Sequence, residues 1–169
     1  MKDTAGLSST ATSQVVVKAN LVRNPDFETD LTGWNTSGSG SNITLTRTSG
    51  GHTGSWAAKL ANAGATASTC TLNDSPNWAK ATSAGTYTGT LWVRADTTGA
   101  TFKLRFREYS GTTLLGSATT QVALTTSWQQ VTVTYAIASP GFSLDFNAYV
   151  SSAAPSTCFY ADDASILLG

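Results

Sequence analysis

The chain has 169 residues and a formal net charge of zero, a length that suits one domain of ordinary size. Only 12% of its residues are charged, and the basic excess typical of nucleic-acid-binding proteins is absent. No apolar run approaches the roughly 18 residues of a membrane span. We therefore expect a monomer with no nucleic-acid or membrane partner. The low charge, the many Ser, Thr, Gly and Ala residues and the five Trp favour a secreted all-β protein.

Residues 1–19 are predicted to form a linker or disordered leader. The segment Asp3–Ser13 is rich in Ser, Thr and Ala and shows no periodicity. Val15–Val17 is either a first edge strand or the last part of this leader. Lys2–Gly6 is not followed by the apolar stretch of a signal peptide, so we expect the sequence to begin inside a longer secreted precursor. The folded module is predicted over residues 20–169.

From residue 20 onward, short alternating runs are separated by clusters of Gly, Pro, Ser and Asn. This pattern is typical of an all-β sandwich or barrel and shows almost no helical periodicity. The predicted strands are Ile43–Thr48, Trp56–Leu60, Ala65–Leu72, Thr86–Ala95, Thr101–Tyr109, Thr113–Leu124, Trp128–Ala138, Ser143–Val150 and Cys158–Leu167.

Alternation within these strands separates an apolar face from a polar one, because successive side chains of a strand point to opposite sides. In the strand at 101–109, one side carries Phe102, Leu104 and Phe106. The other side carries the three cations Lys103, Arg105 and Arg107. The strands at 86–95 and 143–150 alternate in the same manner. We expect these strands to share a sheet with an apolar inner face. Its outer face would combine Trp92, Arg105, Arg107, Asp145, Asn147 and Tyr149.

This outer face has the chemistry that sugar recognition requires. A pyranose ring stacks its C–H face on an aromatic side chain, and its hydroxyl groups bond to amides, carboxylates and guanidinium groups. The residues above therefore predict a glycan-binding groove. The alternative is the ordinary polar face of an antiparallel sheet, which carries occasional aromatics and paired charges without any ligand.

The five tryptophans are expected to have different roles. Trp92 is the best candidate for a sugar platform, because alternation places it opposite the core. Trp34 and Trp128 are expected to pack in the core, while Trp56 can face either way. Trp78 lies in a turn-rich loop, where it is either a platform at the rim of the groove or a plug over the end of the sandwich.

The two cysteines, Cys70 and Cys158, lie in neither a C-x-x-C motif nor a histidine-rich segment, so they do not indicate zinc or redox chemistry. In an oxidising compartment they would form one disulfide that closes a long loop. The alternative is a pair of buried free thiols.

Catalytic motifs are not evident. A glycosidase usually needs two facing carboxylates, and the only glutamates are Glu28 and Glu108, the second without an evident partner. The single histidine, His52, lies in a Gly-rich turn and is interpreted as a surface residue. A polysaccharide lyase that uses the two arginines and the tyrosine of the groove remains an alternative.

Several segments together resemble one group of carbohydrate-binding modules, which includes families 4, 9, 16 and 22. Those modules begin with an Asn-Leu-x-x-Asn-Pro-x-Phe-Glu segment followed by Gly-Trp, and they end with a Tyr-x-Asp-Asp segment. The matching stretches here are Asn20–Glu28, Gly33-Trp34, Gly50–Lys59, Thr126–Gln130 and Tyr160–Asp163. The resemblance covers residues 20–169. The order of these motifs is more specific for the fold than for the ligand.

The resemblance implies a β-jelly-roll sandwich with a structural calcium and a concave sheet that binds polysaccharide. Carried over by motif, Glu28 and Asp162 are the expected side-chain ligands of calcium, and Asp26 and Lys59 would contribute backbone carbonyls. Such a set supplies the hard oxygens that calcium prefers. Asp163 replaces Asp162 if the register of the last strand differs by one. The alternative is that these carboxylates hold no metal.

The function that follows from this resemblance is non-catalytic binding of a polysaccharide. The module would hold an attached catalytic domain of a secreted bacterial protein on its substrate. The expected ligand is β-linked, such as xylan, mannan or β-glucan, although the two arginines also admit an acidic glycan. Beside the lyase, a structural or adhesive module without sugar binding is the remaining alternative.

Overall fold

The structure, a computed structural model, describes residues 18–169 and contains ten strands and no helix within that range. The strands are β1 (Trp34–Asn35), β2 (Ile43–Ser49), β3 (Trp56–Asn62), β4 (Ser68–Asp74), β5 (Thr86–Arg94), β6 (Thr101–Ser110), β7 (Thr113–Ala123), β8 (Gln129–Ala136), β9 (Ser143–Ala153) and β10 (Ser156–Leu168). They form two antiparallel five-stranded sheets. Sheet I has the order β1-β4-β9-β6-β7, and sheet II has the order β2-β3-β10-β5-β8.

All nine predicted strands are present, and the predicted β-sandwich is confirmed. The differences concern strand ends: β4 begins at Ser68 rather than Ala65, and β9 continues to Ala153. The tenth strand, β1, has only two residues, too few for a periodic signal. The suggested strand at Val15–Val17 lies outside the described residues. Within residues 18–169 no helix reaches the length and hydropathy that a membrane crossing requires.

Phenylalanine rings fill the space between the two sheets. Phe102 of β6 and Phe159 of β10 meet edge to face at 5.1 Å, and Phe106 and Phe146 lie 5.1 Å apart. All four rings are essentially inaccessible to solvent, and burial of each contributes about 1.5–3 kcal/mol. A Cβ added to Gly89 of β5 would lie 2.6 Å from atoms of both Phe106 and Phe146. The glycine therefore makes room for two rings from the opposite sheet.

A disulfide joins the two sheets at one end of the sandwich. Cys70 lies on β4 of sheet I and Cys158 on β10 of sheet II, and the structure pairs them across 88 residues of chain. Both residues are buried. The predicted disulfide is thus confirmed, and the alternative of two free thiols is excluded.

Glu108 provides a second link between the sheets. Its carboxylate is fully buried on β6 and accepts hydrogen bonds from the Tyr135 hydroxyl of β8 at 2.8 Å and from the N–H groups of Ala138 and Ser139 at 2.9 and 3.1 Å. Burial alone would raise the pKa of Glu108, but these three donors outweigh it and hold the pKa below its usual 4.5. Burial and the neighbouring carboxylate raise the pKa of Tyr135 to about 12.

Removal of the disulfide should destabilise the domain without unfolding it at room temperature. Closing a loop of 88 residues is worth about 4–5 kcal/mol in the loop-entropy model. We expect the paired variant Cys70→Ala/Cys158→Ala to lose roughly 3–5 kcal/mol of unfolding free energy in urea titrations. Dithiothreitol should destabilise the wild type similarly and leave the variant unchanged. A variant as stable as the wild type would refute this role.

The Glu108–Tyr135 link should appear as a coupled pair in a double-mutant cycle. Glu108→Gln is expected to cost about 2–3 kcal/mol and Tyr135→Phe about 1–2 kcal/mol, with less than additive loss in the double variant. Because the folded-state pKa of Glu108 is lowered, its stabilisation is present above the unfolded pKa and is lost as the pH falls through the folded one. The gap between the wild type and Glu108→Gln should therefore narrow in acid. A gap that does not change with pH would contradict the assignment.

Candidate functional site

The outer face of sheet I brings together five of the polar residues that the sequence analysis selected. On β6, Arg105 stands opposite Asn147 of β9, and Arg107 stands opposite Asp145. Tyr149 follows on β9, where it stands opposite Lys103 of β6. These side chains face outward because their neighbours in sequence point into the core. Alternation predicted this arrangement correctly for β6 and β9.

Hydrogen bonds join four of these side chains into a ladder across two strands. Arg107 Nε donates to Asp145 Oδ2 at 2.9 Å, and the Asn147 amide donates to the same oxygen at 2.6 Å. Arg105 Nε donates to Asn147 Oδ1 at 3.1 Å. Although they point outward, Asp145 and Asn147 are only 5% and 1% exposed. The ladder therefore holds both guanidinium groups in fixed positions before any ligand arrives.

Two tyrosines stand beside the arginines. The Arg105 guanidinium lies 4.7 Å from the ring centre of Tyr149, and the Lys103 ammonium lies 5.5 Å from the same ring. Arg107 lies 5.4 Å from the ring centre of Tyr109. Tyr109 was not predicted as a site residue. It continues the outward series of β6, but the inward position before it is occupied by Glu108, so the apolar–polar alternation of the sequence ends there.

A cleft of about 370 Å³ opens at the Tyr109 end of this face. Its lining is mostly polar and includes the Arg107–Asp145 ion pair. The lining residues are Asn77, Arg107, Tyr109, Gly111, Thr112, Ser143 and Asp145. Toward the other side of the sheet, β4 contributes Thr71 and Asn73, which pair with Tyr149 and Asn147. The face thus offers hydrogen-bonding groups over four adjacent strands.

Trp92 does not belong to this face, and the prediction that it shares a sheet with the arginines is wrong. It lies on β5, which belongs to sheet II, whereas Arg105 and Tyr149 belong to sheet I. Alternation correctly turned Trp92 away from the core. It does not specify which of the two sheets a strand joins, so Trp92 and the arginines lie on opposite outer surfaces.

On sheet II, Trp92 belongs to a packed aromatic and cationic cluster. The His52 ring stacks on Trp92 at 3.7 Å with an interplanar angle of 14°, and Trp128 meets His52 edge to face at 6.0 Å. Arg94 lies 3.8 Å from the ring centre of Tyr160 and 5.3 Å from that of Trp128. Trp128 is half-buried here, so the expectation that it packs in the core is wrong. His52 covers the ring face that a sugar would need.

The other three tryptophans also lie away from the ladder. Trp34 is 6% exposed and belongs to the core, as predicted. The Arg47 guanidinium lies 4.3 Å from the ring centre of Trp56. Trp78 packs edge-on against Trp34 at 5.9 Å, and its backbone N–H donates to Asp74, a buried carboxyl whose pKa burial raises to about 7. These contacts favour the plug over the end of the sandwich.

The turn at residues 50–55, between β2 and β3, brings Glu28 and Asp162 to one place. Glu28 Oε1 accepts hydrogen bonds from the N–H groups of Ser55 and Trp56 at 2.8 and 2.7 Å. Asp162 Oδ2 accepts one from the N–H of His52 at 2.7 Å. Asp162 is fully buried, and burial raises its pKa to about 6. The turn therefore connects the first segment of the domain with its last strand.

Three oxygens converge beside Gly51 of this turn. A Cβ at Gly51 would lie 2.4 Å from Trp56 O, 2.5 Å from Thr53 O and 2.9 Å from Asp162 Oδ2, so only glycine fits. One carboxylate and two carbonyl oxygens around the same glycine are hard oxygens of the kind that calcium prefers. No group of three His, Cys, Asp or Glu side chains suited to a metal occurs within residues 18–169. A cation would depend on the carbonyls.

The other candidate ligands have different contacts. Asp163 bonds to His52 Nδ1 at 2.6 Å and to the Thr53 hydroxyl at 2.7 Å. Asp26 accepts a hydrogen bond from the N–H of Glu28 at 3.2 Å. Lys59 lies within β3 between its neighbours in β2 and β10, and its ammonium lies 5.8 Å from the Tyr160 ring centre.

Residues 19–156 match the family model described as carbohydrate binding domain. The chain belongs to this carbohydrate-binding family. The match spans most of the chain, including every strand of both sheets up to the start of β10. No curated protein sequence matches the chain.

Solved structures of carbohydrate-binding domains share the fold. A family 61 module in complex with β-1,4-galactotriose aligns with a TM-score of 0.64 at 17% identity, over 89% of this chain and 99% of its own. The family 22 xylan-binding domain from Paenibacillus barcinonensis Xyn10C aligns at 0.63 with 16% identity, over 92% and 97%. A Clostridium thermocellum xylanase 10B structure, with family 22 and catalytic modules and bound xylohexaose, aligns at 0.67 with 18% identity, over 90% of this chain and 29% of that one.

Proposed function

We propose that this carbohydrate-binding domain holds a polysaccharide on the outer face of sheet I. The observation that carries the proposal is the hydrogen-bonded ladder of Arg105, Asn147, Asp145 and Arg107 with a tyrosine at each end. Its amide and guanidinium groups are already oriented. A bound sugar would therefore cost little ordering of side chains, which is the usual way that preorganised sites gain affinity.

The tyrosines would provide the apolar part of recognition. Tyr149 and Tyr109 are half-buried, so part of each ring faces solvent. Each ring has a guanidinium near it, so a pyranose that packs on the exposed part of a tyrosine would also come within reach of a cationic hydrogen-bond donor. The face extends over four strands, which suits a polymer better than a single sugar.

A β-linked polysaccharide is the proposed ligand class. The family 61 relative was solved with β-1,4-galactotriose, and the xylanase relative with xylohexaose. These ligands belong to proteins of low sequence identity, so they support a class of polymer and not a particular sugar.

We further propose that the domain serves a larger secreted protein by keeping an attached catalytic domain close to its substrate. The C. thermocellum relative joins a module of this fold to a catalytic module. The disulfide between Cys70 and Cys158 supports an oxidising compartment, because cytosolic thiols are usually kept reduced.

Binding without catalysis agrees best with the positions of the titratable groups. The lyase considered above would use the two arginines and the tyrosine of the groove, and a histidine would be the usual additional proton-transfer group. Arg105, Arg107 and Tyr149 lie on sheet I, but His52, the only histidine of the chain, stacks on Trp92 of sheet II. Glu108 is fully buried among its three donors. A polysaccharide held on sheet I would therefore not meet these two groups.

Retention on polysaccharide gels tests the location of the site. We expect Tyr149→Ala and Tyr109→Ala each to weaken binding about 5- to 30-fold in affinity electrophoresis on xylan, galactan and mixed-linkage β-glucan, the loss usual for a central contact residue. Trp92→Ala is the matched control, because it removes a larger aromatic from the opposite surface. It should leave retention unchanged.

Loss of retention in Trp92→Ala with normal retention in Tyr149→Ala would move the site to sheet II. A domain that no glycan retards would favour a structural or adhesive module.

We also propose a structural calcium at the 50–55 turn, held by the carboxylates of Glu28 and Asp162 and by the carbonyls of Thr53 and Trp56. The convergence of oxygens at Gly51 supports it, as does the position of the Glu28 carboxylate, which lies 2.5 Å from where a Cβ of Gly54 would be. A bound calcium would neutralise the two carboxylates. Contributions from the carbonyls of Asp26 and Lys59 stay predictions.

Thermal unfolding tests this site. With calcium at about a hundred times its Kd, the Tm should exceed that in excess chelator by roughly 5–10 °C. Glu28→Gln and Asp162→Asn should abolish the difference. Asp26→Asn is the control, because it keeps the backbone carbonyl and should respond like the wild type. Equal Tm values with calcium and with chelator would exclude a structural ion.

A further inference from the structure

We propose that the outer face of sheet I prefers acidic polysaccharides, whose uronate carboxylates bind between Lys103 and Arg105. The inference rests on the proposed function, because it assigns a ligand class to that same face. It goes beyond the neutral sugars named for the relatives of this fold.

The outward side chains of sheet I carry more positive than negative charges. Lys103, Arg105 and Arg107 alternate along β6 and point outward on one side of the sheet. Asp145 is the only carboxylate residue among the outward side chains of β4, β9, β6 and β7 in the described part of the chain. It pairs with Arg107 at 2.9 Å. A chain with zero formal net charge therefore presents a local excess of two positive charges here.

Arg105 and Lys103 have hydrogen-bonding capacity that the fold does not use. Among residues 18–169, Arg105 donates one side-chain hydrogen bond, from Nε to Asn147, and Lys103 donates none. The two terminal nitrogens of Arg105 thus remain available. A planar pair of donors matches the two oxygens of a carboxylate, and the Lys103 ammonium adds a second charge near the same Tyr149 ring.

The Arg105 guanidinium is held in a fixed orientation. Asn147 is fixed between Asp145 and Arg105, with its amide donating to the first and its carbonyl accepting from the second. The amide therefore screens Arg105 from the Asp145 carboxylate while it holds the guanidinium in place. The β7 residues opposite this pair are neutral, because Gln121 faces Lys103 and Thr119 faces Arg105. An anion from solution would be the counter-charge that the sheet itself does not supply.

Ordinary surface cations give a different expectation. A lysine and an arginine that serve only solubility would favour acidic polymers no more than other surface cations of the domain do. A uronate-binding pair should make retention of the acidic polymer depend on salt, because exposed charges are screened over about 8–10 Å at physiological ionic strength.

The test compares each acidic polysaccharide with its own neutral derivative. Glucuronoxylan and polymannuronate, whose main chains are both β-linked, are run in affinity gels beside the same polymers after carbodiimide-mediated reduction of their carboxylates to primary alcohols. We expect the native polymers to retard the domain at least about tenfold more strongly than the reduced ones, the effect of one charge-assisted bidentate contact. The preference should disappear at about 1 M NaCl, where the screening length is roughly 3 Å.

Variants assign the preference to residues. Lys103→Gln should lose most of the acidic preference and keep the wild-type affinity for the reduced polymers. Arg105→Gln should lose the same preference and, because Arg105 belongs to the ladder, also weaken binding of the reduced polymers. Lys18→Gln is the matched control, because it removes one charge from an exposed lysine beside Gly169, which follows the last strand of sheet II. It should behave as the wild type. Lys103→Gln breaks no side-chain hydrogen bond, so its fold is not at risk.

The outcomes separate this inference from the proposed function. Equal binding of native and reduced polymers, with loss of both in Tyr149→Ala, would overturn the acidic preference and keep the glycan site. An acidic preference that Lys18→Gln reduces as much as Lys103→Gln would show a general charge effect and would also overturn it. No retention by any of the four polymers or the neutral glycans would overturn both.

Discussion

The close packing of phenylalanine rings against Gly89 is the constraint on which the rest of the sandwich depends. A side chain at Gly89 would overlap Phe106 and Phe146, so the two sheets approach this closely because residue 89 is a glycine. Because neighbours in a strand face opposite sides, burial of Phe106 turns Arg105 and Arg107 outward, and burial of Phe146 does the same for the polar residues beside it. A slip by one residue would bury the cations. The polar face is therefore a direct consequence of how the core packs.

The positions of the acidic groups explain why this face is positive. Asp74, Glu108 and Asp162 are fully buried, where they accept hydrogen bonds from backbone N–H groups and from a tyrosine. Buried carboxylates of this kind connect loops and sheets, but they are not available as partners for surface cations. A composition with equal numbers of acidic and basic residues thus folds into a molecule whose charges are unevenly distributed between inside and outside.

Local pattern predicted most of the strands and the inward or outward direction of side chains, because both depend on near neighbours in the chain. It did not predict which sheet holds each strand. The orders β1-β4-β9-β6-β7 and β2-β3-β10-β5-β8 arise from pairings between distant segments, and Trp92 was assigned to the wrong surface for that reason. Tyr109 was missed because the inward residue before it is the charged Glu108, which ends the apolar–polar alternation of the sequence. The carbonyls near Asp162 depend on the conformation of the 50–55 turn, which no residue type reveals by itself.

The distribution of the tryptophans determines what an optical measurement of this domain can report. None of the five lies among the outward side chains of β4, β9, β6 and β7. Trp56 lies at the end of the 50–55 turn, where its backbone N–H donates to Glu28, and Trp92 carries the His52 ring of the same turn. Indole emission is sensitive to its immediate surroundings. Tryptophan fluorescence of this domain would therefore report events at the turn. A glycan on sheet I would have tyrosines as its aromatic contacts and would leave the tryptophan signal almost unchanged.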